Sequence, residues 1–110
     1  MTQVQAGADA PNSLRGEAQI AIHGHIRVLR PSFTALIAAE EEVGPLFGLV
    51  ERAGAGELRL AEMTALFWHC LQDRTDVTRA DMGDAIAAQG LAGCADALRA
   101  LLGAILKGSG

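Results

Sequence analysis

LAEMTALFWHCLQD, residues 60–73, decides how the rest of the chain must be arranged. It carries the only Trp, one of three Phe and one of two Cys, and it contains neither Gly nor Pro. At about 100° per residue, Leu60, Met63, Leu66, Phe67, Cys70 and Leu71 fall on one side of an α-helix, the spacing of a core-facing stripe. Glu62, His69 and Asp73 fall roughly opposite, toward water. Trp68 lies on neither side, flanked by Ala61, Ala65 and Gln72. The helix therefore has a main apolar face and a narrower second one, a Trp among alanines. That second face is met either by the protein's own elements or by a partner.

Working outward, 110 residues make one small domain, and 50% hydrophobic against 20% charged residues is enough apolar material for a core. Tyr is absent and β-branched residues are few outside one short region, which favours helices. The net charge is −4 and the basic residues are scattered, so the stripe that phosphate neutralisation needs is missing and nucleic acid is not an expected partner. Cys70 and Cys94 each sit in an apolar helical pattern and read as free buried thiols in a reducing compartment. Neither a signal core nor a run of about 20 apolar residues is present, so the expectation is a cytoplasmic protein with no membrane contact.

Before the Trp helix, residues 1–16 are small, polar and aperiodic and read as a flexible arm. In residues 17–29, Ala18, Ile20 and Ile22 alternate with Glu17, Gln19 and Ala21, and after His23-Gly24 Ile26 and Val28 alternate with Arg27. Such alternation on both sides of an X-Gly pair predicts a β-hairpin with one face against the core. Pro31 ends it, and Ser32 is placed to cap a helix reaching about Val43. Phe33, Leu36, Ile37 and Val43 form the expected apolar face, with Glu40 in its middle. A carboxylate there needs a partner, and Arg27 or Arg30 of the hairpin is the expected structural ion pair. Gly44-Pro45 closes this helix and starts a short one driven by Leu46, Phe47, Leu49 and Val50, with Pro45 at its first position.

Beyond the Trp helix, a polar loop leads to Thr78-Arg79-Ala80-Asp81, a capping box with Asp in place of Glu, and Val77 and Met82 stand as its hydrophobic staple. That helix is expected to reach Gln89 and stop at Gly90. Leu91 opens the last one, with Cys94, Ala95, Leu98, Leu101, Leu102 and Ile105 on a broad apolar side. Residues 108–110 are expected to fray. The fold class is thus α+β, mainly α: an N-terminal β-hairpin followed by about five short helices in a small bundle, one domain over residues 17–107.

Catalytic chemistry is hard to find. His23 and His25 have no Cys or acid at ligand spacing, so no metal site is expected. His69 and Cys70 are about 100° apart on a helix, not a nucleophile and its base. Asp73, Asp76 and Asp81 do not fit a calcium loop, and Gly54-Ala55-Gly56 lacks the surroundings of a phosphate cradle. No enzyme, cofactor or small-molecule substrate is implied.

Taken in order, the pieces carry a likeness. Leu29-Arg30-Pro31-Ser32-Phe33 follows the hairpin, Leu36 precedes Glu40 by one helical turn, and Gly44 stands before Leu46-Phe47. Leu58-Arg59-Leu60 leads into the next helix, and residues 78–90 follow at matching spacing. From about Arg15 to Ile105 the chain resembles the gene-transfer-agent family of small phage-tail proteins; Trp68 is bulkier than that pattern leads one to expect. Members are named both as tail assembly chaperones and as tail tube proteins. The resemblance therefore implies either an assembly chaperone holding another tail protein, such as the helical tape measure, or a structural subunit retained in the particle. Tube subunits stack through a sizeable β-sandwich, whereas one hairpin and five helices suit the chaperone. Homo-oligomerisation is an alternative association, and Phe47, Trp68, Leu98, Leu101 and Ile105 are the candidate contact residues.

Overall fold

The computed structural model describes residues 17–107; the expected arm, residues 1–16, and tail, residues 108–110, lie outside the described residues. The chain first forms β1 (Ala18–Ile22) and β2 (His25–Leu29), paired antiparallel with Ile22 opposite His25. His23 (φ 54°) and Gly24 (φ 77°) form the connecting turn, the two positive angles that a type I′ turn requires. This tight turn sets the register, and register decides the faces. Ala18, Ile20, Ile22 and Leu29 are buried, but Ile20 stands opposite Arg27 and Ala21 opposite Ile26. Ile26 and Val28 therefore lie on the outer face, contrary to expectation, and Ile26 is 52% exposed.

After Pro31 come α1 (Phe33–Val43) and α2 (Leu46–Gly54). Ser32 caps α1 as expected, its Oγ accepting from the Ala35 amide at 3.1 Å. Gly44, at φ 89°, ends it, and Pro45 takes the N-cap of α2, one place earlier than predicted. The central element is α3 (Leu60–Cys70). Met63, Leu66, Phe67 and Cys70 are buried together with Leu71, whereas Leu60, at the helix start, is 50% exposed.

The face of α1 differs from the reading of its large residues. Its buried positions are Ala35 and Ala39; Phe33 is 81% exposed and Ile37 41%. α1 makes its most extensive helix contact with α3, whose Ala65 is also fully buried. Small side chains let the two backbones approach closely, and that approach turns the bulky ones out.

The loop after α3 leads to α4 (Arg79–Gly93), whose capping box forms as expected: the Asp81 amide donates to Thr78 Oγ1 at 3.1 Å and the Thr78 amide to the Asp81 carboxylate at 2.9 Å. Val77 and Met82 are both buried beside it. Gly90, at φ 78°, interrupts α4 at the expected stop, and one more turn to Gly93 precedes α5 (Ala95–Lys107). The two helices meet at 94°. α4 and α5 cover β1, and α2 packs on α5. Among the described residues no single helix is long and apolar enough to cross a membrane.

Candidate partner interface

Trp68 is where three segments meet. It is half-buried against the core, and two guanidinium groups lie over its ring, Arg74 at 5.0 Å and Arg79 at 5.6 Å from the centroid. Arg79, the first residue of α4, also grips Glu42 near the end of α1 with both terminal nitrogens, at 2.7 and 3.0 Å. The other partner of Glu42 is His69 Nε2 at 2.8 Å, next to Trp68 on α3. Arg74 returns to α3 as well, donating to the His69 carbonyl at 3.2 Å. The hydrogen bonds of Arg79 and then His69 hold the Glu42 carboxyl down at about 2. Trp68 is thus neither a core aromatic nor a free one: two cations roof it.

This join could not be read from local pattern. Glu42 and Arg79 are 37 residues apart, and Glu42 stands in a run of three glutamates that gives no sign of its partner. His69 and Glu62, expected to face water, are both tied down instead. Glu62 pairs with Arg52 of α2 and accepts from the Arg59 amide at 3.0 Å, and the Arg52 hydrogen bond leads in lowering its pKa.

The predicted Glu40 ion pair does not form. With α1 turned onto its alanines, Glu40 is exposed, and its carboxylate accepts from the Leu46 amide at 3.1 Å at the start of α2. Arg30 pairs with the buried Glu17 at 2.6 Å. Arg27 lies 3.9 Å from the Asp73 carboxylate and donates to the carbonyls of Asp73 and Thr75 at 3.2 and 3.3 Å. Both arginines fasten the hairpin, but to other partners.

The candidate contact residues are not one patch of equals. Phe47 is 66% exposed on α2, beyond any packing requirement. Leu98 and Ile105 are half-buried on α5 and pack against the core. Leu101 is fully buried, so it holds α5 down and offers nothing to a partner. Phe33, Ile37 and Leu60, expected in the core, are exposed, which adds them to the apolar surface carried by α1, α2 and the start of α3. The paired alanines at 35 and 39 were the signal that could have found this, since small residues one turn apart mark a close helix crossing.

Cys70 and Cys94 are free and buried; burial pushes the Cys70 thiol up to about 12 and raises that of Cys94. His23, at the hairpin turn, contacts Asp81 of the α4 cap at 3.3 Å. Among the described residues, no group of three or more His, Cys, Asp or Glu is placed to hold a metal ion.

A family model described as "Phage tail tube protein, GTA-gp10" matches residues 15–108. No curated protein and no solved structure matches. Because the family match takes in the hairpin and all five helices, the chain belongs to the GTA-gp10 phage tail tube protein family.

Proposed function

We propose that this chain is a non-enzymatic tail assembly protein that binds another protein of the same phage-like tail, the tape measure being the foremost client, in the cytoplasm of the producing cell. The observation that carries the reading is the apolar surface of Phe33, Ile37, Phe47 and Leu60, exposed at 81, 41, 66 and 50% on three consecutive elements. Large exposed side chains of this kind mark protein contacts, and an amphipathic client helix is a natural occupant. The only sheet among the described residues has two strands, which supports a transient binder over a subunit of a continuous wall.

The family description favours a second reading, a structural subunit retained in the particle by symmetric contacts. Quantitative mass spectrometry of purified particles separates the two. A chaperone is absent from them and co-purifies with its client from producing cells; presence at a fixed copy number per tail would replace the first reading with the second.

A further inference from the structure

The hairpin has an open side. Across a two-residue turn, Ile22 and His25 form a hydrogen-bonded pair, so His25, Arg27 and Leu29 direct their backbone groups to β1. The groups of Ile26, Val28 and Arg30 must then point away from it. Both edges of the hairpin agree with this parity. Val28 accepts from the Gln72 amide at 3.0 Å and the Arg30 amide donates to Cys70 at 2.6 Å, while Ala21, opposite Ile26, gives its carbonyl outward to Gln89 at 3.2 Å.

The third position in the sheet is therefore only half taken. Leu71 bridges Leu29, and beyond Gln72 the chain turns away through Thr75, whose amide is held by Asp73 at 2.9 Å. A groove of about 740 Å³ opens between β2 and this loop, lined by Ile26, Val28, Gln72, Asp73 and Asp76, with Arg27 reaching across it to the loop carbonyls. Among the described residues, no hydrogen bond reaches the backbone N–H or C=O of Ile26 beyond its own hairpin, and the Ile26 side chain above them is half exposed. Asp76 makes no ion pair among the described residues, and Asp73 meets Arg27 only at 3.9 Å.

From this juxtaposition we infer that the β2 edge takes an extended segment of another tail protein, which continues the sheet beside Ile26 and brings a Lys or Arg to Asp73 and Asp76. Main-chain pairing supplies the contact, and the two carboxylates select the charge. A second copy of the chain is the poorer occupant, because its own β2 carries the same loop on the same edge and the two loops would compete for one space. The inference rests on the assembly reading for the partner's being a tail protein. It differs from that reading in using a sheet edge, so it can fail alone.

The test is amide hydrogen exchange by NMR with an end-blocked nonapeptide of alternating valine and lysine. In the free protein the Ile26 amide exchanges quickly while that of Arg27 is protected. Saturating peptide slows Ile26 exchange at least about tenfold; the same peptide with glutamate for lysine does not. Val28→Pro removes an outward donor, and Ile26→Lys places a like charge on the edge. Both abolish the peptide effect, with Arg27 protection reporting an intact hairpin, and Ile26→Lys changes a half-exposed site that the fold does not need. An Ile26 amide already protected without peptide, no slowing at millimolar peptide, or equal slowing by the glutamate peptide would each overturn the inference. So would concentration-dependent protection accompanied by a dimer in sedimentation, which would give the edge to a second copy. None of these outcomes bears on the composition of the particle, which is what tests the assembly reading.

Discussion

Glu42 and Arg79 clasp each other in a two-pronged pair, at 2.7 and 3.0 Å, that ties the end of α1 to the first residue of α4 over the Trp68 ring. The pair ought to show in acid. The carboxyl is lowered from 4.5 to about 2 in the folded chain, so its contribution is complete above about pH 4.5 and is lost as pH falls through 2. Its side chain is 40% exposed, so solvent screening limits it to about 1 kcal/mol. Glu42→Gln should unfold about 1 kcal/mol more easily in urea at pH 7, and the difference from the parent should shrink steadily as the pH is lowered from about 4.5 toward 2.

Trp68→Ala removes a half-buried ring and the seat of two guanidinium groups. The expected loss is about 2 kcal/mol, below that of a fully buried Trp, read by far-UV circular dichroism in a denaturant series. An unchanged midpoint together with lost association would make Trp68 the partner contact instead.

Phe47 and Leu101, both candidate contact residues by sequence, should respond differently to substitution. Phe47→Asp should leave stability within about 0.5 kcal/mol and weaken client binding, because the side chain is 66% exposed. Leu101→Ala, at a fully buried site, should cost about 2–5 kcal/mol. A pull-down and an unfolding curve on each variant check both; a stable Leu101→Ala would refute its place in the core.

Gly90 tests the backbone alone. A Cβ there meets nothing within 4 Å, yet φ is 78° with ψ 159°, a region that essentially only glycine enters, so Gly90→Ala should destabilise by about 1–3 kcal/mol through conformation and not through a clash. A thermal unfolding comparison decides it.

The thiols give a kinetic check. Cys70 and Cys94 should label slowly in the folded protein even at pH 9, where burial keeps the Cys70 thiol protonated, and rapidly in denaturant. Fast native labelling of both would contradict the packing of α3 and α5.

What the sequence made legible was whatever is decided within a few residues. The X-Gly turn, the Ser32 and Thr78 caps, the Val77–Met82 staple and the stop at Gly90 are local geometry, and with the helix order they stood where expected. What was not legible was which face of an element turns inward. Phe33 and Ile37 look like core until Ala35 and Ala39 press α1 onto α3, and Ile26 looks like core until the turn places it opposite Ala21. The Glu42–Arg79 clasp and the Arg30–Glu17 pair depend on those faces, so a carboxylate and two arginines of the predicted set acquired other partners.

The backbone contact of Arg30 with Cys70 has a kinetic consequence. Residues 31 to 69 leave the hairpin and rejoin it at one spot, 2.6 Å from N–H to carbonyl, so all of α1 and α2 and nearly all of α3 lie inside a single closed loop. Bringing the ends of about 40 residues together costs about 3 kcal/mol of chain entropy, which the seam's few hydrogen bonds cannot offset until the helices have packed. The hairpin can form in microseconds from local contacts, but the seam must close late. The Arg30 amide should consequently exchange only when this whole loop opens, making it a reporter of cooperative unfolding at the end of a strand, where fraying would ordinarily be sought.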